Sequence, residues 1–546
     1  MTHQEGYEEF TDSQINLLER FVTNTSCNIF ALRNLPEVIK GALFSRYSRS
    51  RLGLRSLLLK EFVANDEVAF ESIVGAGSES KESTQDQMLA IKRAQNFYDR
   101  ILDGYGDDSI GELGGAHLAI ENVSMIATKV LEDCRIGGSP LEKSTRYIYF
   151  DQKIQGEYLF YKEPILMTSA YRQIYIDTCN MLFDTYSKLI PSVTELIEER
   201  FPRTEEISKA AYTAALRAKV LDCLRGLLPA SALTNMGIYG NGRFFESMIR
   251  KLHSNNLAEL QEIGKKSYEE LSKVIPSFVR RSESTHKHCK SGMAFSESME
   301  EQIRAVTAKQ EEFPERSLAS GVRLVSSDPQ GVMKVAAALL YSYSNQGLPE
   351  LQKHCSELPE EEIASILDSA CSSRDNRRHK SPRALEHAEF TFEIVADYGI
   401  YRDLQRHRIL TQDRQLLTCD YGFYSPAELS GTEILNEYND ALMKAKEVFD
   451  TIKDELPEEA QYVVPMAYNI RWYFHVNLRS LQWLCELRSS PAGHPGYRYV
   501  AQEMAKAVFD SVPEFERFFK FVDFEGYELG RLQQEERTAR KKVESV

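Results

Sequence analysis

Glu142, Ser144 and Arg146 are spaced two apart in the stretch Ser139-Pro140-Leu141-Glu142-Lys143-Ser144-Thr145-Arg146-Tyr147. Pro140 and the preceding Gly137-Gly138 oppose helix and favour extended chain, in which alternate side chains share a side. A carboxylate, a hydroxyl and a bidentate guanidinium then line one edge, a set that suits a polar anionic ligand or, equally, a surface loop with a salt bridge. A second group, Arg406-His407-Arg408, concentrates positive charge on a chain that is otherwise acidic. It suits a diphosphate or an anionic ring, or else a solvated helix end where cations favour the dipole. Asn477 and Arg488 are eleven residues apart. At about 100° per residue they fall on one helix face, roughly 16 Å apart along the axis. Arg225 lies just before Leu227-Leu228-Pro229, and an arginine in an apolar stretch calls for an anionic partner, from ligand or protein. His286, His288 and Cys289 have no second group at zinc-site spacing, so no metal site is expected.

The elements that carry these residues are readable in places. Ala388, Phe390, Phe392 and Ile394 alternate with Glu389, Thr391 and Glu393, the pattern of a half-buried strand. Leu478, Leu481, Leu484 and Leu487 have helical spacing, and Tyr398–Gln405 reads as helix before Arg406. Most other apolar spacing is helical, so the fold class is α+β with helices in the majority. The chain of 546 residues is long enough for two to four domains at about 100–200 residues each. Its net charge of −15 argues against a broad grip on nucleic acid. No apolar run reaches the ~20 residues that span a bilayer, and the first ten residues lack a signal-peptide pattern. Nine scattered cysteines without a CxxC pair fit a reduced, cytoplasmic protein.

Segments on either side of a polar stretch near 282–304 echo each other. Ala42–Ser48 resembles Ala338–Ser344, and Arg225-Gly226-Leu227-Leu228-Pro229 resembles Gln461-Tyr462-Val463-Val464-Pro465. From Arg225 to Asn241 is 16 residues, and so is Gln461 to Asn477; each Asn is followed two residues later by arginine, Arg243 or Arg479. A repeat of roughly 270 residues is too long for a solenoid and fits a duplicated domain. The expected division is an N-terminal extension 1–26, a first domain 27–280, a connector 281–320, a second domain 321–525 and a charged, loose tail 526–546.

Together these pieces resemble the flavin-dependent thymidylate synthases (the ThyX family), whose signature is Arg-His-Arg-x-x-Ser-x-Asn-Glu-x-Ser-x-Arg-Tyr. The second half holds its start, Arg406-His407-Arg408, and then departs at Arg414, Leu416, Thr418 and Cys419. The first half holds its end, with Ser139, Glu142, Ser144, Arg146 and Tyr147 in place, but has Cys134-Arg135-Ile136 at the start. Downstream, the first half keeps Arg225, Asn241 and Arg243 but has Leu252 at the distal arginine. The second has Gln461 at the first arginine but keeps Asn477, Arg479 and Arg488. His379-Lys380-Ser381-Pro382 resembles the family's flavin-contacting turn, with Gly106-Asp107-Asp108-Ser109 as a weaker counterpart; Leu141 and Asp403, where glutamine is common, depart from the pattern.

The resemblance implies two tandem ThyX-like (thymidylate-synthase-complementing) domains forming a pseudo-dimer, with a homodimer of chains standing in for the family's tetramer. It implies reductive methylation of dUMP with FAD as cofactor and NADPH and methylenetetrahydrofolate as co-substrates. Glu142, Ser144, Thr145, Arg146, Arg225, Arg406 and Arg488 would hold dUMP, with Arg488 catalytic beside the uracil. Arg406, His407, Arg408, Glu142, Asn477, Arg479 and Ser381 would contact FAD. No metal, nucleic acid or membrane is implied. One composite site would be complete and the other dead. The rivals are a degenerate homologue that binds without turnover and a methylase of another pyrimidine nucleotide such as UMP.

Overall fold

The computed structural model describes residues 10–48, 50–63, 111–310 and 320–544. The turn Gly106–Ser109 and residues 311–319 of the connector lie outside them. Two compact units are present. One comprises residues 1–121, 134–142 and 235–313; the other comprises 122–133, 143–234 and 314–546. The units are not the repeats: much of the first repeat belongs to the same unit as the whole of the second.

The two repeats nonetheless share one plan. In the first, strand β1 (Gly115–Ser124) leads into helix α1 (Met125–Glu132), and β2 (Gly138–Glu142) follows. After a short hairpin of β3 (Lys153–Ile154) and β4 (Glu157–Tyr158) come the long helices α2 (Arg172–Arg200) and α3 (Lys209–Leu224). A 3-10 turn at Arg225–Leu227 precedes β5 (Leu233–Asn241) and α4 (Gly242–His253). The sheet order is β1-β5-β2, with β2 antiparallel to β5.

Helix α5 (Lys287–Ala308) follows, and then the second repeat opens with β6 (Gly321–Ser327). It runs through β7 (Glu389–Asp397), α6 (Tyr398–Leu404) and β8 (Thr411–Arg414) to a 3-10 turn at Glu459–Val463. Strand β9 (Asn469–Asn477) and helix α7 (Leu478–Arg488) complete it, and the sheet order is β6-β7-β9-β8. Thus β7, β9 and β8 repeat the order of β1, β5 and β2. The end is helix α8 (Pro495–Ser511) and helix α9 (Leu532–Glu544).

The matching residues do matching work. Asn241 and Asn477 each cap the helix that follows, accepting from the amides of Phe244 at 2.8 Å and Ser480 at 2.9 Å. Ser124 and Asp397 cap α1 and α6 in the same way, from Ala127 at 3.0 Å and Ile400 at 2.9 Å. Short polar side chains at these positions satisfy amides that a helix start leaves unpaired. The alternating residues Phe390, Phe392 and Ile394 are buried on one face of β7, as their period requires.

Within the second unit the two apolar-Pro segments pair with each other. Met466 N donates to Leu228 O at 2.9 Å and Ala230 N donates to Val464 O at 2.8 Å, around an antiparallel bridge of Pro229 to Pro465. Equivalent residues of the two repeats therefore meet about a local pseudo-twofold axis. Gly226 is part of this seam: a Cβ there would come within 2.0 Å of the Tyr438 hydroxyl and 3.0 Å of Ala467 Cβ.

Three expectations are corrected. The polar connector contains the 22-residue helix α5, with His286 as its cap and Cys289 buried at its start. Sparse large apolar residues suit an exposed helix as well as a loop. The charged tail is ordered in part: α9 packs on α3. The extended run through Arg146 ends at Glu142; a turn follows at Thr145–Tyr147, so the alternation of sides does not persist to Arg146.

Candidate active site

Arg146 sits in a turn that Ser144 builds. The Ser144 hydroxyl accepts from Arg146 N at 3.2 Å, the local bond by which serine favours turns over strand. Thr145 beside it is buried. The Arg146 guanidinium donates to both carboxylate oxygens of Asp222, at 2.6 and 2.7 Å, and to the Tyr497 hydroxyl at 2.9 Å. Burial alone would raise the Asp222 pKa, but Arg146 outweighs it and holds the carboxyl at about 2.

Arg225 ends α3, three residues and about one turn beyond Asp222. Only 4% exposed, it donates from Nη1 to Asp403 Oδ2 at 3.0 Å. Its Nη2 is buried with no hydrogen-bond partner. Burial would raise the Asp403 pKa; Arg225 first, then Arg146, Arg406 and Arg488, hold it well below the carboxylate range. Arg225 is the arginine bonded to Asp403; the charges of Arg146, Arg406 and Arg488 act on the same carboxylate from further off.

Arg488, at the end of α7, donates from Nε to His407 Nε2 at 2.9 Å. That bond makes Nε2 the acceptor and leaves the proton on Nδ1. Burial and then Arg488 push the His407 imidazole well below its ordinary range, so it is neutral. Burial also lowers Arg488, against Asp403 and Tyr497, yet guanidinium remains charged at any physiological pH. The Tyr497 ring faces the guanidinium carbons of both Arg146 and Arg488 at 5.5 Å each.

Two further groups complete the cluster. Asp397 caps α6 through Oδ1, while its buried Oδ2 has no partner; burial lifts its pKa to about 6 against the pull of Arg225. His494 caps α8, accepting at Nδ1 from Gly496 N at 3.1 Å, and burial with Arg225 depresses it to about 3. Tyr497, His494 and Asp222 were not found from the sequence. Asp222 had a usable signal, one helical turn before Arg225; the others had none beyond a His-Pro helix start.

Not every expected residue joins this cluster. Ser381, Asn477 and Arg479 gather at the other end of α7. Arg479 donates to Ser381 O at 2.8 Å and to Glu386 at 2.6 Å, and the Ser381 hydroxyl bonds Gln482 at 2.7 Å. They brace the start of the helix, about 16 Å along the axis from Arg488. Glu142, at the end of β2, is buried and belongs to the first unit, whereas Ser144 to Arg146 belong to the second. Arg406 is exposed and Arg408 half-buried, next to the 64% exposed Ile409. Two cations beside an accessible apolar side chain make a surface that favours an anionic group next to a flat apolar one.

The counterparts have other duties. Gln461, matched to Arg225, accepts from Leu417 N at 3.1 Å and donates to Glu458 O at 2.9 Å. Arg414, matched to Glu142, pairs with Asp133 at 2.8 Å. Leu252, matched to Arg488, is fully buried. All nine cysteines are free thiols and seven are buried. Among the described residues no His, Cys, Asp and Glu group gathers for a metal, and no helix is long and apolar enough to cross a membrane.

The site thus sits in a duplicated, helix-rich α+β fold, with arginines of the first repeat paired to carboxylates of both. The thymidylate synthase complementing protein family model matches residues 61–277 and again 323–514, and the chain belongs to that family. It is 54% identical over 98% of its length to a UPF0159 protein of Chlamydia muridarum, covering 99% of that protein. It is 33% identical over 91% of its length to a UPF0159 protein of Thermoplasma acidophilum, covering 98% of it. A flavin-dependent thymidylate synthase of Helicobacter pylori is 32% identical over 29% of this chain and 84% of its own length.

Proposed function

We propose that the chain is an FAD-dependent thymidylate synthase that converts dUMP to dTMP at one composite site, built from residues of both repeats. The observation that supports this most is the pairing of first-repeat arginines with second-repeat residues: Arg225 donates to Asp403 at 3.0 Å and Arg146 to the Tyr497 hydroxyl at 2.9 Å. Arg-His-Arg and the distal arginine are kept in the second half and lost in the first, while Glu142, Ser144, Arg146 and Arg225 are kept in the first and lost in the second.

In this reading Arg146, Arg225, Ser144 and Thr145 hold the nucleotide phosphate. Asp222 and Asp403 keep the two guanidiniums in place and yield part of their bonding to the ligand. Arg225 Nη2, buried and unbonded, is a donor ready for it, since an unmet buried donor costs about 1–3 kcal/mol. Arg488 lies by the uracil and favours its ionised form, because a fixed cation lowers the pKa of an acidic N–H. Neutral His407 orients Arg488 through its Nε bond. Arg406 and Arg408 hold FAD, while Ser381, Asn477 and Arg479 set the start of the helix that carries Arg488. Bound FAD supplies the two-electron exchange with NADPH. Overall, a methylene carbon leaves methylenetetrahydrofolate and forms a bond to C5 of uracil. C5 loses its proton, and a hydride equivalent from NADPH makes the carbon a methyl.

The carboxylate pairing of both phosphate arginines favours one rival, a nucleotide-binding homologue without turnover. One assay separates the two. The purified protein, given dUMP, methylenetetrahydrofolate and NADPH under low oxygen, should form dTMP and carry one FAD per chain. Bound FAD without dTMP would leave the rival; two FAD per chain would exclude the single composite site.

A further inference from the structure

The family match ends at residue 514, yet the chain beyond it is built onto the Arg146 end of the site. Arg498 Nη2 donates to Glu525 O at 2.8 Å, Gln502 Nε2 donates to Asp523 O at 2.8 Å, and Asp523 N donates to the Ser489 hydroxyl at 2.9 Å. These bonds bring the segment past the residues that follow Arg488. Tyr527 donates to Asp523 at 2.8 Å under the Arg498 guanidinium, 4.8 Å from the ring centre. Gly530 then passes against Pro491, where a Cβ would meet the carbonyl oxygen at 2.0 Å. Only glycine fits so close an approach. Arg531 places its guanidinium carbon 4.0 Å over the ring of Tyr147, the residue next to Arg146.

The closure is tight. Between residues 527–531 and the pair Arg146–Asp222 lies a cavity of about 20 Å³. Helix α9 then packs on α3, the helix that carries Asp222. The segment is thus anchored on both sides of the Ser144–Tyr147 turn.

We infer that residues 527–531 form a strap that holds the Ser144–Tyr147 turn in its ligand-binding shape, with Arg531 as a positioning residue through its stack on Tyr147. The strap deepens the thymidylate synthase reading and rests on it for the identity of the ligand. Arg531 touches no reacting atom in this account. A cation held on a ring at an accessible site contributes modestly, so its loss loosens the turn without unfolding the chain. Loss of the turn's shape weakens nucleotide binding but leaves the chemical step, which depends on Arg488, intact.

The test compares Arg531→Ala, Arg531→Lys and Gly530→Val in the full-length protein. Amide exchange at residues 145–147 should quicken about fivefold in Arg531→Ala, more in Gly530→Val, and less in Arg531→Lys, which keeps a cation over the ring. KM for dUMP should rise by a similar factor while kcat stays within about twofold. Unchanged exchange in Arg531→Ala and Gly530→Val overturns the strap. Faster exchange with an unchanged KM overturns its role in binding. A wild-type protein that neither binds nor converts dUMP defeats the thymidylate synthase reading instead, and the exchange rates still decide the strap.

Discussion

Arg225-Gly226-Leu227-Leu228-Pro229 and Gln461-Tyr462-Val463-Val464-Pro465 share one backbone and face each other across one antiparallel bridge. Their first residues differ in charge and in task. Arg225 reaches Asp403 and keeps a buried donor unbonded; Gln461 satisfies both ends of its amide on Leu417 and Glu458. The apolar-Pro part of each segment is held by packing and by reciprocal main-chain bonds, so it tolerates little change in either copy. The leading polar residue is outside that constraint. Duplication therefore let one copy retain a charge with an unbonded buried donor while the other became an internal brace.

The sharpest way to break this comparison is to truncate matched positions. Arg488→Ala and Arg146→Ala should each lower kcat/KM by about 10³-fold or more, the scale of losing a preorganised charge in a site. Thr418→Ala, at the position matched to Arg146, should leave steady-state turnover unchanged. Equal losses in both sets would sink the division of labour.

A smaller effect separates Arg225 from Gln461 in urea unfolding. Arg225→Ala leaves Asp403 buried without its partner and should cost about 3–5 kcal/mol, most of it recovered in the double variant with Asp403→Ala. Gln461→Ala should cost about 1–3 kcal/mol, with activity per folded molecule retained. No recovery in the double variant would mean that Arg225 is held by something other than that carboxylate.

The helix caps Asp397 and Ser124 give a pH-dependent version of the comparison. Asp397 titrates at about 6 in the fold against an ordinary 3.8. Between these values the folded chain binds more protons than the unfolded one. The Asp397 contribution therefore falls as pH rises from about 4 to 6 and stays lower above that, by on the order of 2–3 kcal/mol, while His494, depressed to about 3, contributes in the opposite sense over the same range. Asp222 acts in the opposite sense. Its pKa is lowered to about 2, so it stabilises the fold above 3.8 and loses that contribution as pH falls toward 2. Asp397→Ser, which copies the cap of the first repeat, should make stability rise more steeply with pH between 4 and 6 in melting curves, because the opposing His494 contribution is then unbalanced. An unchanged slope would mean that Asp397 does not titrate in that range. The smallest effect is expected at Thr418, where alanine should shift stability by no more than about 0.5 kcal/mol.

Local signals carried much of this. The period-two pattern of β7, the helical spacing of Leu478, Leu481 and Leu484, and the equal 16-residue spacings are properties of neighbouring residues, so they were legible before any fold. The sequence also separated the arginines by half, because the matching positions differ in charge. Partners distant along the chain were not legible. Arg146 meets Tyr497, 351 positions later, and Arg225 meets Asp403, 178 positions later. Nothing local marks such pairs, because a side chain's ionic partner is chosen by packing and not by spacing. The return of the tail to Tyr147 was hidden for the same reason, in a run of charged residues whose composition suits solvent. From its sequence alone this chain determined that it is a duplicated, helix-rich member of one family with complementary halves. Tertiary structure alone decided that Arg146 pairs with Asp222 and Tyr497 and Arg225 with Asp403, since only folding withdraws those charges from water and forces them to pair.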